Sequence, residues 1–407
     1  MDAWNEACRG PNQKESIELG YLKRLADKKW RIRYDVPSSN DGRRKQKAET
    51  LVNVTKPQAE AILADRKRGI VAGEYIPEDL TVTELFARFV QSKSQLAPTT
   101  AQRYHGLFET YLNPRFGKAR IESIKQVQLA RAYWDWQREG RNGRKVSART
   151  IRHVHDLVRN LLSWAVRMEY ASRNVAKLLT ADDIPKAERP EIRFLNELEL
   201  RRLLSMAEQP TSRSKKRGTL SSQPWFFAAV AFAAYTGARR GEVLAVRWSD
   251  LDLKRLEVTI RKSLTQTHGG LRFKSPKNGR SRRVAVPTKL IAILCDHQAK
   301  QKEERETMGA VYKDDDLIFA LADGSPVTPW NFGAAFRDLV KRTGLKGVTL
   351  HSLRHTHVTL LGRAGVSLKV ASERAGHSTV SFTGDRYSHV FRSDDAAAAS
   401  AFERLVG

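Results

Sequence analysis

The stretch PWFFAAVAFAAY, Pro224 to Tyr235, constrains the fold of this chain more than any other. Its twelve residues carry no charge, and wound into a helix they are apolar all round. Such a helix belongs inside a core or a membrane. A spanning helix needs about 20 apolar residues; no run in the sequence approaches that, so this one is read as a buried core helix. The chain is long enough to surround it. With 407 residues it exceeds one ordinary core, and two or three domains are expected. Hydrophobic residues make up 41%, enough for packed interiors and too many for a mostly disordered chain.

Charge narrows the partner. Subtracting 45 acidic residues from 72 basic ones leaves +27, with a pI near 10.2. A protein with that excess usually meets a polyanion, and nucleic acid is the commonest. A membrane surface is the competing polyanion, but no spanning run is present, and the N-terminus MDAWNEACRG lacks the layout of a signal peptide. The two cysteines, Cys8 and Cys295, have no metal-ligand spacing around them. The expected setting is a reducing cytoplasm.

Three segments follow along the chain. Residues 21–47 hold ten Lys or Arg against three Asp. In WRIRYDV, Trp30, Ile32, Tyr34 and Val36 alternate with polar residues, the period of a half-buried strand. SSNDG reads as a turn and RRKQKAETLVNV as a returning strand, and Thr55-Lys56-Pro57-Gln58 has the form of a capping box. A small sheet on one helix is expected over residues 1–75, with Arg31, Arg33, Arg43 and Arg44 as candidate DNA contacts. The bland alternative is a solvated strand face.

GEYIPEDL reads as a linker. Residues 81–180 are helical throughout by periodicity: Ile151, Val154, Leu157, Val158, Leu161, Leu162 and Ala165 keep the 3.6-residue spacing. This segment carries 18 basic and 7 acidic residues, net +11, an excess that suits a clamp on phosphates. A second linker is read at Ala181 to Arg193. From there to the end, residues 190–407, the pattern is α+β with helices dominant. Its clearest strands are LEVTI and RRVAVP, and Asn278-Gly279 fits a tight hairpin turn before the second.

The third segment holds the residues that can do chemistry. TGARRGE, Thr236 to Glu242, follows the apolar stretch, and its Thr-Gly can end that helix and start the next at Arg239. HSLRH places His351 and Arg354 one turn apart on one helix face. His351 and His355 stand at the spacing of a zinc pair, but Ser352 occupies the place where the zinc-protease pattern has Glu, which disfavours metal. GHSTVSFTGDRYSHV adds His377 and Tyr387. Together these fit one substrate, a phosphodiester. Attack at phosphorus builds negative charge on the non-bridging oxygens, which two arginines can hold through bidentate hydrogen bonds. Tyr387 offers a phenolate nucleophile, and a lysine or histidine must protonate the departing sugar oxygen.

The order TGARRGE, a lysine hairpin, HSLRHTH, AGHS and DRYSH resembles the signature of the tyrosine site-specific recombinases, the phage-integrase family, over about residues 194–390. The resemblance implies Arg239 and Arg354 as the phosphate clamp and His351 as general base or proton shuttle. It implies Lys277 as general acid on the 5′ oxygen, His377 as a hydrogen-bonding partner of the phosphate, and Tyr387 as nucleophile. Glu242 would orient Arg239. Arg239 is preferred to Arg240 on the family's spacing, and Lys277 to Lys274 because it adjoins the Asn-Gly turn.

The fold implied is multidomain: a three-stranded arm-binding sheet with a helix, an all-α core-binding domain, and a mainly α catalytic domain. The activity implied is cutting and rejoining of DNA through a 3′-phosphotyrosyl intermediate for integration or excision of a mobile element, with no metal, cofactor or ATP. The implied partners are double-stranded DNA at core-type and arm-type sites and three further copies of the chain. An accessory bending protein and a directionality factor are common in the family. A Xer-like resolvase, a type IB topoisomerase and a non-enzymatic DNA-binding regulator are the alternatives; the arm-like segment speaks against the first two and the filled set of candidate residues against the third.

Overall fold

The structure is a computed structural model that describes residues 20–37, 44–71, 80–93, 96–140, 143–188, 193–209, 223–275, 279, 281–377, 379–381, 383–384, 387 and 395–406. The chain forms two compact units, Met1–Ser94 with Leu107–Ala187 and Gln95–Gly106 with Glu188–Gly407.

The first unit opens with an antiparallel sheet of order β1-β2-β3, made of Gly20–Ala26, Lys29–Pro37 and Arg44–Val52. Alternation along β2 does what period two requires: Ile32 and Tyr34 are buried, while Arg31 and Arg33 point to the other face. The buried side packs on α1, Lys56–Val71, through Leu63 and Ile62. That helix begins as its sequence foretells, with the Thr55 backbone N–H donating to Gln58 Oε1 at 2.8 Å.

The helical part contains α2 (Val82–Gln91), α4 (Asn113–Phe116), α5 (Gln126–Arg138) and α6 (Ala148–Arg167), while α3 (Pro98–Leu107), between α2 and α4 in the chain, falls in the second unit up to Gly106. All seven periodic residues of α6 are buried. A reciprocal Thr81–Glu84 capping box starts α2. In the interior Phe86 stacks on Phe108 with centroids 3.9 Å apart, and Phe89 meets Trp164 edge to face.

From Glu188 the second unit continues with α7 (Glu197–Glu208), α8 (Pro224–Thr236) and the short α9 (Arg240–Val243). Helix α8 is the apolar stretch, and ten of its thirteen residues are buried. Its alanines let neighbours approach closely: α7, α10 (Thr288–Met308) and α12 (Leu350–Arg363) all pack on it. Trp225 and Phe226 meet Phe332 of α11 (Pro329–Thr343) edge to face. Helix α13 (Leu368–Ala375) and the C-terminal helix Asp395–Val406 complete the order.

Two small sheets flank these helices. One joins β4 (Leu251–Asp252), β5 (Glu257–Ile260) and β8 (Arg282–Ala285); the other is the hairpin β6 (Ser263–Thr267) and β7 (Gly270–Lys274). This corrects the reading of Asn278-Gly279 as a hairpin turn. The strands before and after it lie in different sheets, and the tight turn is His268-Gly269, followed by Gly270 at φ +95°. LEVTI and RRVAVP pair with each other, and the β6–β7 hairpin is inserted between them.

Candidate active site

The end of α8 sets the site. Gly237 takes φ +64° and caps the helix, which a side chain would oppose doubly, since a Cβ there would sit 2.7 Å from the His357 ring. The chain then turns so that Arg239 stands at the N-cap of α9. Its Nη1 donates to Glu242 Oε1 at 2.9 Å and its Nη2 to the Gly376 carbonyl at 2.7 Å.

Glu242 is 1% exposed and serves a second arginine. Arg282 of β8 donates to it through Nη1 at 3.2 Å and Nη2 at 2.7 Å, and through Nε to the Arg374 carbonyl. Burial pushes the Glu242 carboxyl up, but the Arg282 hydrogen bonds and the charges of Arg282 and Arg239 outweigh it, leaving it below the ordinary carboxylate range. Sequence reading passed over Arg282. Its trace lies in Gly376, whose φ is +67° and where a Cβ would fall 2.8 Å from the Arg282 guanidinium.

Arg354, on α12, is 2% exposed. Its Nη1 donates to the Gly237 carbonyl at 2.9 Å, and its buried Nη2 has no hydrogen-bond partner among the described residues. Burial first, then the Arg239 charge, lowers its pKa to about 9, while the neighbouring Glu242 and Tyr387 act in the opposite direction. Among the described residues, three guanidiniums, of Arg239, Arg282 and Arg354, thus gather around one carboxylate, Glu242, leaving a local +2 (3 − 1). Such a cluster is short of an anion.

Tyr387 is 1% exposed, and its hydroxyl hydrogen-bonds His355 Nδ1. His351 is exposed, and its ring packs edge to face on His355 with centroids 4.5 Å apart. His377 shares a hydrogen bond with Thr383 Oγ1 at 2.6 Å, and Thr383 in turn donates to Ser372. Burial, then Arg354 and Arg239, then the two histidines, depress its pKa to about 3, so it is a neutral ring among cations.

The structure therefore gathers Arg239, Arg354, His351, His377 and Tyr387. Arg240 turns away, toward Arg337 of α11. Lys277 lies outside the described residues, as does Arg43; Lys274 is exposed at the end of β7, and Arg44 starts β3. The sequence offers His355 as half of a zinc pair; in the fold its Nδ1 meets the Tyr387 hydroxyl. Among the described residues no three His, Cys, Asp or Glu side chains are grouped as metal ligands would be.

The site brings together a buried tyrosine, an arginine cluster and a neutral histidine, and comparison with known proteins finds tyrosine recombinases. Residues 193–393 match the phage integrase family, and the chain carries that family's domain over about half its length. It is 27% identical over 353 residues to the XerC-like tyrosine recombinase of Caldanaerobacter subterraneus subsp. tengcongensis, covering 83% of this chain and 86% of the relative. Among solved structures it is similar to the Tn1549 transposon integrase in complex with a circular intermediate DNA (TM-score 0.64, 20% identity, 80% of this chain and 100% of that one). The lambda integrase tetramer bound to a Holliday junction is also similar (TM-score 0.54, 17% identity, 91% and 96%).

Proposed function

We propose that this chain is the integrase of a mobile element, cutting and rejoining DNA at specific sites. The observation that carries the reading is Arg354: buried, cationic, with one guanidinium nitrogen unbonded among the described residues, next to Arg239 and the nucleophile candidate. A scissile phosphate supplies the anion that this cluster calls for. The Tyr387 oxygen bonds to phosphorus and the bond to the 5′ oxygen breaks, giving a 3′-phosphotyrosine and a free 5′ hydroxyl. Arg239 and Arg354 hold the charge that builds on the non-bridging oxygens. Neutral His377 adds a hydrogen bond, His351 shuttles protons, and Lys277 protonates the leaving oxygen. Rejoining is the same exchange in reverse with a new 5′ hydroxyl, so the phosphoester energy is retained.

Recombination requires two duplexes with two cuts in each, hence four subunits on DNA in the cytoplasm of the bacterial host. Residues 1–75 serve as the arm-site module and residues 81–180 as the core-site clamp. A bending protein and a directionality factor complete the assembly. The test is a nicked suicide substrate bearing the core site. Wild type should accumulate a covalent protein–DNA adduct, while Tyr387→Phe should bind the DNA and form none; adduct formation by the Phe variant at the wild-type rate would overturn the assignment.

A further inference from the structure

The tyrosine's proton needs a destination. A phenol has a pKa of about 10, and the phosphate clamp acts on the substrate oxygens, leaving the nucleophile's own proton unassigned. The motif points to His351, which sits one turn before Arg354. The geometry points elsewhere: it is His355 whose Nδ1 meets the Tyr387 hydroxyl, with ring centroids 5.7 Å apart.

We propose that His355 is a catalytic residue, the general base that takes the Tyr387 proton during strand cleavage and returns it during rejoining. This rests on the reading of Tyr387 as the nucleophile. In cleavage the proton moves from the phenol oxygen to His355 Nδ1 as that oxygen bonds to phosphorus. The bond from phosphorus to the 5′ oxygen breaks, and the leaving oxygen takes a separate proton from the general acid. In rejoining, the imidazolium gives the proton back as the phosphotyrosine bond breaks.

Two further features fit a base rather than a spacer. His355 is partly exposed, and the exposed His351 packs edge to face on it, so the acquired proton lies one ring from a solvent-facing imidazole. Tyr387 packs against Val358, Ala371 and Ala375, so its ring is held in an apolar cluster while its hydroxyl meets His355.

The test uses the full chain on a suicide substrate whose bridging 5′ oxygen is replaced by sulfur, so that no acid is needed for departure and the nucleophile is isolated. His355→Asn keeps a hydrogen-bonding atom near the Nδ1 position but cannot accept a proton at neutral pH. Its single-turnover cleavage should fall by about 10²- to 10⁴-fold with core-site affinity retained. His355→Ala serves the same purpose should the Asn variant not fold. Replacing Tyr387 by 3,5-difluorotyrosine, whose phenol is more acidic, should then restore about tenfold or more in the variant and little in wild type. Cleavage by His355→Asn within about threefold of wild type, or an equal response to fluorination in both backgrounds, would overturn the proposal. If wild type itself formed no adduct, the failure would lie with the tyrosine as nucleophile.

Discussion

His357 sits under the site with its Nδ1 hydrogen-bonded to the Ala234 carbonyl, at the end of the buried helix. Burial, then the charge of Arg374, lowers its pKa to about 4, and His377 falls to about 3. An unfolded histidine titrates near 6.5. Between these limits the unfolded chain binds more protons than the folded one, so stability is fully present above about pH 6.5 and drains away as pH falls toward 4 and then 3. Denaturant unfolding at about pH 7.5 and about pH 5, on either side of the unfolded value, should show the loss. His357→Asn, which keeps a donor for the carbonyl and cannot titrate there, should reduce the difference; an unchanged pH dependence would place the linkage elsewhere. At this scale the sequence identified the residue types that gather, because their chemistry demands company. It could not show Arg282, which reads as one more strand arginine until the fold sets it on Glu242.

Elements were legible where local chemistry decides them. The capping boxes at Thr55 and Thr81, the α6 stripe and the β2 alternation each fix their structure from within a few residues. The β6–β7 hairpin was missed because SLTQT and GLRFK alternate weakly, with one buried residue between them, while Asn-Gly offered a stronger turn signal outside the pairing. With that turn gone, the reason for preferring Lys277 to Lys274 is gone too. In the N-terminal sheet, Arg33 lies over the Tyr21 ring at 5.4 Å, and Lys23 stands opposite Arg31, so one sheet face is cationic across two strands. The major groove admits a β-ribbon. Arg31→Ala with Arg33→Ala should weaken binding to arm-type DNA and flatten its dependence on log salt by about one unit for each phosphate that the sheet no longer neutralises. Core-site cleavage should be unaffected. An unaltered salt slope would leave the sheet as a solvated face.

Across the whole molecule the C-terminal helix stands out. Phe402, Leu405 and Val406 are 69%, 86% and 68% exposed, an apolar stripe that its own unit leaves uncovered. A second copy of the chain is the natural cover, since the proposed reaction brings four together. Deleting residues 395–407 should spare binding of one subunit to a half-site and impair the four-subunit complex on paired sites, as gel mobility would show. Loss of monomer folding would mean that the helix packs at home instead.

The surplus charge around Glu242 also bears on how long the protein lasts. A buried guanidinium with a nitrogen unbonded among the described residues lowers the stability of its own domain until an oxyanion arrives, and any ligand that binds only the folded state raises the melting temperature, increasingly so as its concentration exceeds its Kd. Sulfate should therefore stabilise the free protein more than it stabilises an Arg354→Met variant, the comparison removing sulfate's general salting effect. Equal shifts in both would count against it. On the proposed function DNA is then a folding partner as well as a substrate, so copies seated on a site should outlast copies that never find one.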